Sequence, residues 1–295
     1  MPAYARSVRL SRLDRTIAVK RRSANVPRLF FSVESRWYRL EGISCRLNKN
    51  EKLEPVSKDV SVITGNGFTF YTDTVLLANF SMPESGELCA DFGTGCGAIP
   101  MIWCARSQPQ KVYAVEIQQC ACSMARRSAE MNGFENKIQV LECDIKELHE
   151  KSAIPYGLDR IVCNPPYHEA GAGLHGRSAE RQAAFHETAC TFSDIAAAAA
   201  AFLRCGGRFF CCMRPERLCG TLFSLHAAGL EPKRICFVQQ RESSAPSLFL
   251  LQAVRGGKPG IKAEPVLIME NKDGGVSEEM RSIYGDYGQN REGEG

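Results

Sequence analysis

Seven short apolar runs, most of them separated by segments with helical character, constrain the fold of this chain more than any other feature. The runs lie at residues 88–92, 112–115, 138–141, 161–163, 208–213, 234–238 and 248–254. Strands that are apolar on both faces and alternate with helices are typical of a parallel sheet covered by helices on each side. We therefore predict an α/β fold with a mainly parallel, doubly wound sheet. Ligands of such sheets bind beyond the carboxyl ends of the strands.

Two helices can be placed from their boundary residues. An alanine-rich segment begins near Ser193, the predicted N-cap, and Gly206 lies just past its end. The second helix opens with Pro215, a residue favoured in the first turn, and stops at Gly229. Both helices follow strands, as the alternating pattern requires.

The first strand end carries the sequence D-F-G-T-G-C-G, residues 91–97, directly before a predicted helix. Gly93, Gly95 and Gly97 allow the backbone to approach a ligand closely, and the helix N-terminus behind them can accept polar or anionic groups. The spacing is not G-x-G-x-x-G, so a dinucleotide pyrophosphate is less favoured. The loop is predicted to cradle part of a ligand.

Acidic residues follow the next two strands. Glu116 lies about twenty residues after the loop, where a carboxylate can accept hydrogen bonds from both hydroxyls of a ribose. Asp144 is placed to accept a hydrogen bond from an adenine amino group. Two simpler interpretations stay open: a solvated carboxylate for Glu116 and a helix N-cap for Asp144.

The fourth strand ends in Asn164-Pro165-Pro166-Tyr167. The strand cannot continue through this segment, because a proline has no N–H to donate to a sheet. Such a stiff corner serves either the fold alone or the fold and a substrate.

These four strand ends together resemble class I S-adenosylmethionine-dependent methyltransferases with an N-P-P-Y motif, which act on planar amino or amide nitrogens. The resemblance implies a Rossmann-like, seven-stranded sheet with an antiparallel last strand, S-adenosyl-L-methionine as cofactor and no need for a metal. It implies catalytic roles for Asn164, Pro165, Pro166 and Tyr167. The cofactor-binding residues that it implies are Asp73, Asp91, Gly93, Thr94, Gly95, Gly97, Glu116 and Asp144.

A narrower resemblance covers residues 58 to 285. The sequence F-T-F-Y-T-D-T-V-L-L-A-N-F, residues 68–80, and several later blocks are similar to bacterial valine-tRNA adenosine-N6 methyltransferases. This implies tRNA as partner and transfer of a methyl group to N6 of an adenosine beside the anticodon. Asp73, within this block, is equally suited to cap the next helix. Phe185 departs from the family pattern, where we expect an arginine.

Three other functions fit parts of this sequence less well. A protein glutamine-N5 methyltransferase acting on a release factor also suits N-P-P-Y, but it normally carries an N-terminal helical domain that residues 1–57 do not resemble. A nicotinamide-dependent oxidoreductase leaves residues 164–167 unexplained. The intact N-P-P-Y motif argues against an RNA-binding protein without catalytic activity.

Basic residues are concentrated in the N-terminal part of the chain. Residues 1–57 carry thirteen Lys and Arg against five Asp and Glu. We predict that this basic N-terminal extension is poorly ordered, that residues 58–270 form the methyltransferase domain, and that residues 271–295 are a flexible tail. The extension is interpreted as an arm that follows nucleic-acid phosphates, a transit-like leader, or an upstream extension of the coding frame without function.

Cysteine usage and hydropathy predict a cytoplasmic protein. The fourteen cysteines include no C-x-x-C pair, which favours buried free thiols in a reducing compartment. No apolar stretch approaches the ~20 residues of a membrane span. His168, His175 and His186 have no compact metal-ligand spacing. Candidate phosphate contacts are Arg177, Arg181, Arg214 and Arg217. The sequence leaves the oligomeric state open.

Overall fold

A computed structural model describes residues 36–40, 43–151, 154–165 and 190–285. Its strands are β1 Arg36–Leu40, β2 Ile43–Leu47, β3 Glu51–Pro55, β4 Ser61–Gly65, β5 Leu88–Phe92, β6 Lys111–Glu116, β7 Ile138–Glu142, β8 Leu158–Cys163, β9 Leu203–Met213, β10 Leu230–Gln239, β11 Leu248–Arg255, β12 Lys262–Ala263 and β13 Leu267–Ile268. Its helices are α1 Thr72–Phe80, α2 Ala98–Arg106, α3 Gln119–Met131, α4 Leu148–Lys151, α5 Phe192–Phe202, α6 Leu218–Ala227 and α7 Glu278–Tyr284.

The main sheet confirms the predicted fold class. Within the described ranges its strands lie in the order β12-β10-β11-β9-β8-β5-β6-β7, and β13 also pairs with β10. Strands β5 to β9 pair in parallel, whereas β11 runs antiparallel to both β9 and β10. The antiparallel last strand of the predicted seven is therefore β11, which lies inside the sheet. The two-residue strands β12 and β13 lie beside β10.

The predicted strands are all present, but one helix boundary differs. Helix α5 begins two residues before the predicted start, because Thr191, and not Ser193, is its N-cap. The side-chain oxygen of Thr191 accepts from the N–H of Asp194 at 3.2 Å, and Asp194 accepts from the N–H of Thr191 at 2.8 Å. Gly206 does not end this helix: it lies inside β9, with φ of 76°.

Two apolar clusters cover the two faces of the sheet. Adjacent residues of one strand point to opposite faces, so Val162 and Phe210 pack with α1 and α2, while Ile161 and Phe209 pack with α5. All four side chains are almost completely buried. This packing makes the sheet a rigid platform for the residues at its edges.

Two hairpins, β1–β2 and β3–β4, lie within the predicted N-terminal extension or across its boundary. Strand β3 pairs with β4, so the predicted boundary after residue 57 falls between two paired strands. The hairpin is attached to α3 by Glu51, whose carboxylate accepts from Arg127 at 2.7 and 2.8 Å. In addition, the N–H of Ile63 donates to Ser128 Oγ at 2.9 Å. Residues 51–57 therefore belong to the domain, whereas residues 1–35 of the predicted extension lie outside the described residues.

The predicted flexible tail also begins too early. Residues 278–284 form α7, whose Met280 and Ile283 are buried in the core. Arg106 of α2 donates to the backbone carbonyls of Ile283 at 2.6 Å and Tyr284 at 2.9 Å. Burial of two apolar side chains and satisfaction of two carbonyls hold this helix on the domain. Residues 286–295 lie outside the described residues.

No helix within the described ranges is long and apolar enough to cross a membrane.

Candidate active site

The carboxyl ends of four parallel strands bring most of the predicted site residues to one edge of the sheet. Strand β5 lies between β6 and β8, and Phe92 at its end is level with Val115 and Cys163. Strand β7 lies outside β6. The glycine loop, Glu116, Asp144 and Asn164 follow these strands directly, so they share this edge.

The glycine loop has left-handed backbone angles at Gly93 (φ 73°) and Gly95 (φ 55°). Residues other than glycine rarely adopt these angles. A Cβ atom at either position would meet nothing within 4 Å, so the backbone here borders open space. The N–H of Gly93 is held by the carbonyl of Val115 at 2.9 Å. The loop is thus held to the end of β6 on one side and borders open space on the other. The predicted contact of this loop with a ligand remains a prediction.

Gly97 has a different environment from the other two glycines. A Cβ atom on Gly97 would lie 3.0 Å from the Cβ of Ala125 on α3. Gly97 also has a left-handed φ of 84° and is the N-cap of α2. Its lack of a side chain therefore allows α2 and α3 to pack closely. A contact between Gly97 and a cofactor remains a prediction.

Asp91, near the end of β5, is buried and only 1% exposed. Its carboxylate accepts a 2.6 Å hydrogen bond from the hydroxyl of Thr94, which is also buried. Burial raises the pKa of Asp91 to about 7, against the opposing effect of the Thr94 bond and with a further increase from the charge of Glu116. This hydrogen bond connects Thr94 in the loop to the end of β5.

Glu116 is 6% exposed, and both of its carboxylate oxygens bind backbone N–H groups. Oε2 accepts from Gly95 at 2.9 Å, and Oε1 accepts from Gln118 at 3.0 Å. A carboxylate oxygen can accept two hydrogen bonds, so these contacts leave capacity for the ribose hydroxyls that the sequence predicts. The interpretation of Glu116 as merely solvated does not agree with this burial.

Asp144 acts as an N-cap in the structure, which was the simpler interpretation of its position. Its Oδ1 accepts from the N–H of Lys146 at 2.9 Å, at the start of a 3-10 helix that spans Ile145–Glu147. Lys146 Nζ lies 3.8 Å from the other oxygen, Oδ2. The predicted contact of Asp144 with an adenine amino group remains a prediction.

Asn164 contacts residues near the start of α1. Its Nδ2 group donates to Asp73 Oδ2 at 3.4 Å and to Thr74 Oγ1 at 3.3 Å. Asp73 lies in the first turn of α1, whose N-cap is Tyr71, so Asp73 is not itself the cap. Pro165 is buried next to Asn164. Pro166 and Tyr167 lie outside the described residues, as do the histidine and arginine candidates between residues 168 and 186.

Three residues at this edge were not identified from the sequence. Ile117, directly after Glu116, is an exposed apolar side chain, and Tyr71, directly before α1, is exposed as well. Thr74 lies beside Asp73 and contacts Asn164. Ile117 could have been identified from its position directly after Glu116, the acidic residue that ends β6. No pattern in the sequence pairs Thr74 with Asn164.

In the described part of the chain, no group of three or more His, Cys, Asp or Glu side chains is arranged to hold a metal ion. The thirteen cysteine side chains that the structure describes are free thiols.

Comparison with known proteins identifies the family of this chain. The sequence pattern of the methyltransferase small domain matches residues 71–218. A protein of Photorhabdus laumondii named tRNA1(Val) (adenine(37)-N6)-methyltransferase is 27% identical over 220 residues, which cover 73% of this chain and 86% of that protein. A protein of Escherichia coli O157:H7 with the same name is 26% identical over 178 residues, 55% of this chain and 71% of that protein.

A solved structure shares the fold. The crystal structure of a predicted O-methyltransferase from Agrobacterium tumefaciens superposes with a TM-score of 0.59 at 23% identity. The match covers 74% of this chain and 97% of that chain. At this identity the likeness concerns the fold alone.

The fold is Rossmann-like, as in class I methyltransferases. The chain belongs to the methyltransferase small domain family. This confirms the predicted enzyme class, an S-adenosylmethionine-dependent methyltransferase, and with it the predicted cofactor.

Proposed function

We propose that this protein transfers a methyl group from S-adenosylmethionine to the exocyclic N6 of an adenosine in tRNA, at position 37 beside the anticodon. The names of the two relatives support this substrate. The observation that carries the proposal is the place of Asn164 and Pro165 at the end of β8. Because β8 neighbours β5, acceptors for an amine lie next to the glycine loop.

The strand ends fit the parts of S-adenosylmethionine. The buried Glu116 carboxylate would hold the ribose hydroxyls, and Asp144 the adenine amino group. The exposed side chain of Ile117 offers an apolar surface for the adenine ring. The open space in front of Gly93 and Gly95 would take the amino-acid portion. When bound, the cofactor supplies an electrophilic methyl group on a positively charged sulfur.

Asn164 and Pro165 make the target amine reactive. The lone pair of an exocyclic adenine amine is delocalised into the ring, so the amine is a poor nucleophile. Asn164 Oδ1 and the carbonyl of Pro165 would accept its two N–H groups and direct the lone pair out of the ring plane. Both acceptors follow a buried strand, which keeps them in place before the reaction. The hydrogen bonds strengthen as positive charge develops on the nitrogen.

No side chain is needed as a general base in this scheme. The methylated nitrogen carries an extra proton immediately after transfer, and this proton can be lost to water. Deprotonation restores conjugation with the ring. The chemistry that this site has to supply is therefore positioning and hydrogen bonding.

Methyl transfer to an unmodified valine tRNA transcript tests the proposal. The protein is incubated with S-adenosylmethionine, and the RNA is digested to nucleosides and examined by mass spectrometry. We expect N6-methyladenosine, and none when guanosine replaces adenosine 37. A matched reaction with a release-factor protein tests the rival glutamine substrate. Methylation of that protein with no methylation of RNA would overturn the proposal.

A further inference from the structure

We propose that Asp73 and Thr74 position Asn164 for methyl transfer by fixing the orientation of its side-chain amide. The inference rests on the proposed function, in which Asn164 Oδ1 accepts from the target amine. It gives Asp73 a role other than the cofactor contact expected from sequence, and it adds Thr74 as a positioning residue.

The three side chains form a connected hydrogen-bonded group. Asn164 Nδ2 donates to Asp73 Oδ2 at 3.4 Å and to Thr74 Oγ1 at 3.3 Å. The hydroxyl of Thr74 donates to Asp73 Oδ1 at 3.4 Å, and the N–H of Thr74 donates to the same oxygen at 2.7 Å. The single hydroxyl hydrogen of Thr74 is directed to Asp73, so its lone pairs can accept from Asn164.

This group determines which end of the Asn164 amide is NH2 and which is oxygen. A carboxylate only accepts hydrogen bonds, so the amide atom next to Asp73 has to be the NH2 group. The reverse orientation would place two oxygens with negative partial charge against each other. It would also present NH2, a donor, to a target amine that needs an acceptor. Asp73 therefore favours the amide orientation in which the NH2 group of Asn164 faces Asp73 and Oδ1 takes the position farther from Asp73.

Helix α1 gives Asp73 and Thr74 a rigid base. Leu76 and Leu77 of this helix are almost completely buried. The indole Nε1 of Trp103 on α2 donates to the carbonyl of Ala78 at 3.0 Å. Catalytic groups whose supports are held by packing keep their geometry during the reaction.

A double-mutant cycle between Asp73 and Asn164 tests the inference. Asn at position 73 has nearly the same shape as Asp but can donate as well as accept, so Asp73→Asn no longer selects one amide orientation. Single-turnover methyl transfer to tRNA is measured with saturating S-adenosylmethionine for the wild type, both single variants and the double variant. We expect Asp73→Asn to slow transfer about tenfold or more in the wild-type background. In the Asn164→Ala background it should change the rate less than about twofold, because Asp73 acts through Asn164.

Thr74 supplies a matched pair of variants. Thr74→Val removes the hydroxyl but keeps the shape, and we expect the transfer rate to fall several-fold. Thr74→Ser keeps the hydroxyl and should recover most of the rate. Affinity for S-adenosylmethionine, measured by calorimetry, should stay within about twofold of wild type in both variants. Thermal unfolding of each variant confirms that α1 is intact.

Two results would overturn the inference. One is an equal effect of Asp73→Asn in both backgrounds. The other is weaker binding of S-adenosylmethionine by Asp73→Asn together with a wild-type rate once the cofactor is saturating. Either result would mean that Asp73 does not act through Asn164. Failure of the proposed function has a different signature: the wild-type protein binds S-adenosylmethionine but methylates no tRNA. In that case the NMR signal of the Asn164 NH2 group, assigned by its absence in Asn164→Ala, decides the inference. It should shift in Asp73→Asn and in Thr74→Val, and an unchanged signal in both would contradict the contact.

Discussion

Glu116 and the N–H of Gly95 are joined by a 2.9 Å hydrogen bond that connects the end of β6 to the glycine loop. The carboxylate expected to bind a ribose therefore also holds the loop that borders the ligand space. Loss of Glu116 should affect both features. We therefore expect occupation of the predicted cofactor site to affect the conformation of the loop.

Replacement of Glu116 by alanine should weaken binding of S-adenosylmethionine by about 1–3 kcal/mol, the cost of losing a partner for buried polar groups. Calorimetry measures the effect directly. Glu142→Ala is the matched control, because Glu142 is level with Glu116 on the neighbouring strand but is exposed. Unchanged affinity in Glu116→Ala would rule out the ribose contact.

Asn164→Ala should lower kcat on the order of a hundredfold while cofactor affinity stays close to wild type. The variant removes one acceptor for the target amine and leaves Glu116 and the glycine loop in place. Asn164→Asp keeps an acceptor but adds a negative charge beside Asp73, so we expect an intermediate rate. Single-turnover kinetics with tRNA measure both variants. A wild-type rate in Asn164→Ala would mean that residues 164–167 serve only the fold.

Asp91 should make the protein less stable as pH rises toward neutral. Burial raises its pKa from 3.8 to about 7, so the folded state holds a proton that the unfolded state has already lost. The stabilisation is complete below the unfolded pKa and is lost as pH rises through the folded pKa. Between pH 5 and 8 this amounts to about 2–3 kcal/mol as an upper bound.

Urea unfolding at several pH values, for the wild type and for Asp91→Asn, measures this contribution. Asn can still accept the hydrogen bond from Thr94 but does not titrate. The free energy of unfolding of Asp91→Asn should therefore depend less on pH in this window. Identical pH profiles would show that Asp91 stays ionised in the folded protein.

Removal of residues 1–57 should destabilise the protein much more than removal of residues 1–35. The longer deletion removes β3, exposes β4 and leaves Arg127 without Glu51. Ile63 of β4 is completely buried in the intact hairpin. The melting temperatures of the two truncated chains give the comparison. If the two truncated chains have the same melting temperature, the β3–β4 hairpin does not stabilise the domain.

Tyr71 should contribute to tRNA binding, because an exposed aromatic ring two residues before Asp73 is available to stack on a base. Stacking of a base on an aromatic side chain contributes roughly 1–3 kcal/mol. Tyr71→Ala should weaken tRNA binding by a comparable amount without changing cofactor affinity. Phe223→Ala is the control, since Phe223 is equally exposed but lies on α6, which packs against β10 and α5. Equal effects of the two variants would exclude a specific role for Tyr71.

Much of the fold could be predicted from local sequence because its signals are local. Each apolar run became a strand, since a segment with apolar residues on both faces is stable only inside a covered sheet. The helix at Pro215 and its end at Gly229 also followed from single residues with strong backbone preferences. The boundary of α5 differed because Thr191 and Asp194 form a reciprocal cap, which competes with the signal of Ser193.

The order of strands and helices, the positive φ of Gly93 and Gly95, and the polar groups that follow each strand could all be read from local sequence. Which of these polar groups contact each other depends on the packing of distant segments. Asp73 and Asn164 are 91 residues apart in the chain, and Glu51 and Arg127 are 76 apart. Such pairs depend on how α1 and β3 pack against distant elements, and a hydrogen-bond partner leaves no periodic mark in the sequence. The same reason explains why Gly97 proved to be a packing residue between two helices.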